Sequence, residues 1–312
     1  MPDIVIMEFI HPDAVEELRR DYDVHYDQNL VHKPDEVPAY LAEVRGLIVG
    51  NLTWVNDDLL DLAPKLEAVG RLGVGTDRID MAACEKRGIP VFPAYGTNHM
   101  TVAEYSIGTM VALLRGGGFH VNGRIIAGEW PRRDIEAHEA YEKRYGIIGL
   151  GRIGRAVAPR AKAFEMEVVA CDPYLDDDDE AWGLVDERVD FETLLATSDV
   201  VGMHVPLTDE TRHMIDADAV AKMKMGAIVI NPARGGVIDE LAVIQGIRDG
   251  HLFGAAIDVF ETEPVTAAGG ERFADVPNLI LTPHVAGVTE ETNRRIAMVT
   301  AERVRGVIES NA

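Results

Sequence analysis

The stretch YGIIGLGRIG, residues 145–154, decides how this chain folds. Tyr145–Ile148 is an apolar run of strand length, and a helical pattern follows Gly154. Between them, Gly149, Gly151 and Gly154 stand at the GxGxxG spacing. The first glycine allows a tight turn, the second lets backbone N–H groups approach a pyrophosphate, and the third lets helix and strand pack closely. Arg152 and Ile153 fall at this phosphate turn, where a helix N-terminus offers N–H groups and partial positive charge. The next predicted strand, Glu167–Cys171, ends at Asp172, near the spacing of about twenty residues at which a carboxylate takes ribose hydroxyls. That carboxylate repels a 2′-phosphate, so the stretch predicts a dinucleotide site for NAD rather than NADP.

Working outward, apolar runs alternate with helical patterns. Ile4–Met7, Leu47–Val49, Leu66–Val69 and Pro90–Phe92 read as strands. Helical stretches lie between them, such as Asp13–Arg20 opened by Pro12. A second series is Tyr145–Ile148, Glu167–Cys171, Val200–His204, Ile228–Asn231, Ala255–Val259 and Leu279–Leu281. Such alternation means parallel sheets with crossover helices. The expected fold class is α/β, two Rossmann-like doubly wound parallel-sheet domains. Between the two series, Thr97–Gly128 has helical periodicity through Val102, Ala103, Ile107, Met110 and Leu114, and Gly116–Gly118 should break it. The final helix, about Thr289–Ile308, comes after the second sheet and is expected to pack back on the first domain, making that domain discontinuous.

The chain has 312 residues, 47% hydrophobic and 27% charged, enough apolar material for two cores. Its two cysteines, Cys84 and Cys171, have no metal-like spacing, so no metal site is expected. They suit a reducing compartment and argue against a disulfide framework. The start, MPDIVIMEFI, lacks a basic stretch and a long apolar run, so a cytoplasmic protein with no membrane partner is expected. A net charge of −23 argues against nucleic acid and predicts an acidic surface.

A second signal is LILTPHVAG, residues 279–287. Thr282-Pro283 ends a short apolar strand, and His284 is the first polar side chain beyond its carboxyl end, where open α/β sheets bind ligands. Histidine titrates nearest neutrality, which suits proton transfer.

With these residues in view, the chain resembles the D-isomer-specific 2-hydroxyacid dehydrogenases, which are NAD-dependent. The blocks that carry the resemblance are GVGTDRID (73–80), NHMTVAEY (98–105), GIIGLGRIG (146–154), HVPLTDETRHMI (204–215), INPARGGVIDE (230–240), DVFETEP (258–264) and TPHVAG (282–287). They stand in the family's order and span essentially the whole chain. The resemblance implies a flavodoxin-like substrate domain of residues 1–96 plus 288–312. It implies an NAD-binding domain of residues 97–287, whose segment 97–128 resembles a homodimer-forming region.

The resemblance also places roles. Arg234 matches the arginine that binds the substrate carboxylate and polarises the carbonyl, a task suited to a planar guanidinium. Glu263 matches the carboxylate that orients the catalytic histidine and favours its charged form. His284 matches the acid/base that protonates the carbonyl oxygen as hydride arrives. Asp258 matches a contact to the nicotinamide end. By position, Val205 and Pro206 flank the adenosine, Pro232 and Ala233 lie beside Arg234, and Gly287 follows His284. Val74 and Gly75 match the loop whose backbone N–H groups hold the substrate carboxylate, with His284 and Arg234 as the other substrate contacts.

The partner is then a small anionic 2-hydroxy or 2-oxo acid. Relatives that take 3-phosphoglycerate usually carry an arginine in the loop after the third strand. Here that loop, IVGNLTWV (48–55), has Gly50, Asn51 and Leu52 and no cation. This favours glyoxylate or hydroxypyruvate. Arg71, Arg78 or Arg133 could supply the missing cation, so 3-phosphoglycerate and sulfolactate stay open. Phosphite dehydrogenase remains an alternative, because it shares the arginine, glutamate and histidine. So does an NAD(H)-sensing corepressor-like protein.

Overall fold

Two all-parallel sheets carry the architecture of this computed structural model, which describes residues 1–311. The first sheet contains β1 (Ile4–Ile6), β2 (Val24–Tyr26), β3 (Gly46–Val49), β4 (Ala68–Arg71) and β5 (Val91–Pro93), in the order β2-β1-β3-β4-β5. That is the flavodoxin-like doubly wound order. The second contains β6 (Arg144–Ile148), β7 (Glu167–Cys171), β8 (Glu187–Arg188), β9 (Val200–Met203), β10 (Ala227–Asn231), β11 (Leu252–Ile257) and β12 (Leu279–Leu281). Its order, β12-β11-β10-β9-β6-β7-β8, reverses between β6 and β9. Such a reversal opens a crevice at the carboxyl ends of the two strands. Central strands such as β3, β9 and β10 are buried throughout. They therefore read as continuous apolar runs rather than alternating ones.

The described chain divides into two compact units, Met1–Asn98 together with the chain from Val288 onward, and His99–Gly287. In the first unit the helix Glu290–Ser310 starts under a Thr289 cap, whose side chain accepts from the Thr292 N–H, with Glu290 and Glu291 in the first turn. Its buried Ala297, Ala301, Val304 and Ile308 recur at helical spacing and cluster with Ile4, Ile6, Ile48 and Ala68. Glycines make room for it. A Cβ on Gly46 would lie 2.7 Å from Val304 Cγ1, and one on Gly70 would lie 2.6 Å from Thr300 Cγ2.

In the second unit the helix His99–Leu114 packs Ala103, Ile107, Met110 and Leu113 against Tyr145, Ile147 and Val157. The segment expected as one broken helix thus has two characters. Gly116 and Gly117, at φ 53° and 76°, end the helix. Beyond them, Phe119, Ile125, Ile126 and Trp130 are exposed.

Two strands escape the sequence reading, β2 and β8. β2 is three residues with only Val24 buried, and β8 is two exposed residues, so neither leaves an apolar run to detect. β11 runs Leu252–Ile257 rather than 255–259. Asp258, the first residue past it, turns its carboxyl group onto the residues after β12. Among the described residues, no helix is long and apolar enough to cross a membrane.

The close approach of the last helix yields a direct expectation. Gly70→Val should overpack the contact with Thr300 and Val304 and destabilise the chain by about 1–3 kcal/mol. Thermal unfolding measures it; an unchanged midpoint would show that the helix is free to shift outward.

Candidate active site

The cofactor end is built on the β6–β9 switch. Gly149 turns at φ 91°, and a Cβ there would sit 2.7 Å from the His204 carbonyl oxygen and 2.8 Å from Val205 Cγ1. The glycine turn therefore rests against the chain that carries Val205 and Pro206. A Cβ on Gly154 would meet the Gly149 oxygen at 2.3 Å, whereas nothing lies within 4 Å of one on Gly151. Gly151 is thus free of protein neighbours on the side where a ligand has to approach. The first α-helical bond here runs from the Arg155 N–H to the Gly151 oxygen. The Arg152, Ile153 and Gly154 N–H groups precede it and form the N-terminal donor set. Asp172 follows β7 and accepts the Leu150 N–H at 2.9 Å and the Tyr174 N–H at 3.1 Å. This set of glycines, N–H donors and one carboxylate fits NAD. His204, despite its place in a motif, is no acid/base: burial pushes its imidazole down to about 3 and holds it neutral.

The catalytic candidates follow three adjacent strands. Arg234 lies beyond β10, Glu263 beyond β11 and His284 beyond β12. The His284 Nδ1–H donates to Glu263 Oε2 at 2.8 Å, and the Phe260 N–H donates to Glu263 Oε1 at 2.9 Å. Burial raises the Glu263 carboxyl. The hydrogen bonds from His284 and Phe260 and the positive charges of His284 and Arg234 outweigh that, so it ionises below the ordinary value.

The Arg234 loop beside this pair is pinned, and Arg234 Nη1 donates to the Ala233 oxygen at 2.6 Å. Fully buried Asn231 donates from Nδ2 to the Arg234 oxygen at 3.1 Å and accepts the Ala233 N–H at 3.1 Å, bracketing Pro232 and Ala233. A Cβ on Gly235 would fall 1.8 Å from the Phe260 oxygen, so only glycine lets the arginine loop lie against the glutamate loop. Buried Glu240 accepts the Glu261 N–H at 2.7 Å and pairs with Arg272 at 2.6 Å, fixing the same loop from behind.

Asp258, expected at the nicotinamide, is fully buried. Its carboxylate accepts from the Thr282 hydroxyl at 2.6 Å and from the Val285 and Ala286 N–H groups at 2.8 Å each. The structure shows this carboxylate holding the histidine turn. Sequence reasoning passed over Asn231, Glu240 and Thr282; the signal was present, since each is a polar residue inside a quoted motif at a strand or helix end. Gly287 closes this unit.

The remaining candidates belong to the first unit. After β4, Gly73 adopts φ 146° and Arg71 folds back to donate from Nε to the Gly75 oxygen at 2.8 Å, shaping the loop that presents Val74 and Gly75. Glu8, just past β1 and 5% exposed, accepts from the Gly50, Leu52 and Thr53 N–H groups and from the Thr53 hydroxyl. It dictates the shape of the loop after β3. Arg78 comes to that loop from beyond β4, donating to the Leu52 oxygen at 3.4 Å and standing 5.2 Å over the Trp54 ring. Residues 50–52 supply no cation themselves, but their loop has one beside it. Among the described residues no group of three or more His, Cys, Asp or Glu is placed to hold a metal ion.

Comparison with known proteins bears on the family and the fold. The family described as D-isomer specific 2-hydroxyacid dehydrogenase, NAD binding domain, matches residues 107–286. The (S)-sulfolactate dehydrogenase of Chromohalobacter salexigens is 46% identical, covering 98% of each chain. The hydroxypyruvate reductase of Thermotoga maritima is 36% identical over 86% of this chain and 87% of its own. Among solved structures, a D-lactate dehydrogenase from Aquifex aeolicus complexed with NAD and lactic acid superposes with a TM-score of 0.83 at 26% identity. That match covers 99% of this chain and 96% of the other.

The depressed Glu263 carboxyl makes a signed prediction. Its stabilisation is complete above the ordinary glutamate value and is lost as pH falls through the lower folded-state value. Wild type should lose more thermal stability on acidification than Glu263→Gln, and the two curves should converge at low pH. Parallel curves would show that the pair contributes no pH-linked stability.

Proposed function

The chain belongs to the D-isomer-specific 2-hydroxyacid dehydrogenase family, and from that premise we propose that it interconverts a short 2-hydroxy acid bearing a second anionic group and its 2-oxo acid, with sulfolactate and sulfopyruvate as the leading pair. Its class is that of an NAD-dependent dehydrogenase, which sets aside the cofactor-sensing alternative. The observation that carries the chemistry is the bond from His284 Nδ1 to Glu263 beside Arg234.

NADH, when bound, supplies the hydride. Gly149, Gly151, Arg152, Ile153 and Gly154 are proposed to take its phosphates, and Asp172 its ribose hydroxyls. Val205 and Pro206 are proposed at the adenosine, Pro232, Ala233, Asp258 and Gly287 toward the nicotinamide. Arg234 binds the substrate carboxylate in two charge-assisted bonds and draws electron density from the carbonyl. The Val74–Gly75 backbone is proposed as a second carboxylate contact. With Nδ1 committed to Glu263, His284 keeps Nε2 for the reacting oxygen. It gives that proton as the alkoxide forms and takes it back in oxidation. Glu263 stabilises the ring while it is charged.

Two observations support the second anionic group. Arg78 is a guanidinium at the loop after β3, donating to the Leu52 oxygen and standing over the Trp54 ring, and the sulfolactate relative matches end to end. For a smaller acid, glyoxylate or hydroxypyruvate, the support is that residues 50–52 carry no charge. We further propose a homodimer formed through the segment after Gly117, where Phe119, Ile125, Ile126 and Trp130 stand exposed.

NADH oxidation across glyoxylate, hydroxypyruvate, pyruvate, phosphohydroxypyruvate and sulfopyruvate tests the substrate. Sulfopyruvate should show the highest kcat/KM, and Arg78→Ala should lower that value about ten- to a hundredfold while sparing glyoxylate. A preference for glyoxylate or hydroxypyruvate that is indifferent to Arg78 would overturn the second-anion reading. Light scattering tests the dimer: Ile126→Asp should halve the mass, and a monomeric wild type would refute it.

A further inference from the structure

The geometry points to Tyr105 and Thr282 as positioning residues that act through Asp258 to hold His284 in its working conformation. His284 lies at φ 56°, in the left-handed region that side-chain-bearing residues avoid. Such a conformation is strained and persists only where surrounding bonds over-determine it. Here the bonds are visible. The His284 N–H donates to the Asp258 carbonyl oxygen at 2.8 Å, and the next two N–H groups, of Val285 and Ala286, donate to the Asp258 carboxylate. Three successive N–H groups thus close on one buried residue, which bends the backbone at His284 and sends its ring toward Glu263.

The carboxylate is in turn held by a hydroxyl chain. Thr282 Oγ1 donates its single proton to Asp258 Oδ1 at 2.6 Å. That oxygen is then left as an acceptor, so the Tyr105 hydroxyl, 2.7 Å away, has to be the donor to it. The direction Tyr105 to Thr282 to Asp258 is forced by proton count. Burial agrees, since it pushes the Tyr105 phenol up to about 12 and keeps its proton in place. Tyr105 stands on the helix His99–Leu114, which is packed into the core of its unit. The chain therefore ties the histidine turn to a rigid element, as precise placement of a reacting group requires. Neither hydroxyl contacts His284 directly, so the effect is on its placement.

The inference rests on His284 being the proton donor, and the experiment separates the two. Thr282→Val keeps the shape of the side chain but removes both its proton and its acceptor. Thr282→Ser keeps both, and Tyr105→Phe removes only the first hydroxyl. Turnover is measured with sulfopyruvate and with hydroxypyruvate, NADH affinity by fluorescence. The low-field Nδ1–H resonance of His284, identified by its loss in His284→Gln, is followed in histidine-labelled protein without substrate. Thr282→Val should lower kcat about tenfold or more while KM and NADH affinity stay within about threefold, and the resonance should broaden or vanish. Thr282→Ser should restore both readings. Tyr105→Phe should cost about threefold, and the double variant Tyr105→Phe/Thr282→Val should be no worse than Thr282→Val, because the two act in one chain. Wild-type kcat with an intact resonance in Thr282→Val would overturn the proposal; so would a loss confined to thermal stability and NADH binding. If Thr282→Val does not fold, Tyr105→Phe decides by the same readings. Turnover surviving in His284→Gln would instead overturn the assignment of the proton donor itself.

Discussion

A carboxyl group sealed from water has to be surrounded by hydrogen-bond donors, because leaving it unsatisfied costs several kcal/mol. Asp258 meets that demand with donors lying 24, 27 and 28 residues further along the chain. They are within reach because β11 and β12 are paired neighbours, so the two strand ends emerge side by side. Satisfying one buried group thereby fixes the path of residues 282–286 and the direction of the His284 side chain. The device recurs. Glu8 gathers the N–H groups of the loop after β3, and Glu240 takes one from the loop after β11. In each case an acid that is 5% exposed or less orders a stretch of backbone that has no regular structure of its own.

This explains which features the sequence displays and which it conceals. The dinucleotide turn is legible because each glycine answers a separate local need: a positive φ at Gly149, a close backbone at Gly154, open space at Gly151. The all-parallel α/β class is legible because buried strands such as β9 and β10 are uninterrupted apolar runs. Arg234, Glu263 and His284 can be found because they follow such runs within family motifs. β2 and β8 stay hidden because they bury one residue and none. The hold of Asp258 on the histidine turn, the loop-shaping role of Glu8 and the position of Arg78 at Leu52 all depend on contacts between segments distant in sequence. No periodicity records those. Residues 50–52 lack a cation, and the one beside them, Arg78, comes from beyond β4.

A net charge of −23 and an anionic substrate seem at odds. Screening resolves the conflict, since exposed charges more than about 8–10 Å apart scarcely interact at physiological salt. What matters is the local field. Within the second unit, Arg234 and the first-turn N–H groups of the helix Arg152–Lys162 are positive elements at the ends of the strands. The acidic residues nearest the chemistry are committed elsewhere, Glu263 to His284 and Phe260, Asp258 to the histidine turn, Glu240 to Arg272 and Glu261. An acid so occupied organises the site without opposing the substrate.

Strand order then divides the labour. The glycine turn and Asp172 follow β6 and β7, whereas Arg234, Glu263 and His284 follow β10, β11 and β12 on the other side of the switch point. Neighbouring strands are about 4.8 Å apart, so β7 and β11, four steps apart in the sheet, have ends separated by roughly 20 Å. A ligand anchored by its ribose at Asp172 and reaching the loop beyond β11 has to be long enough to cross that interval, and its middle has to be negatively charged to sit on the helix N-terminus at β6. A dinucleotide joined through a pyrophosphate has that length and that charge. The order in which the strands were laid down therefore selects the cofactor, and the three loops at the far edge supply the chemistry performed beside it.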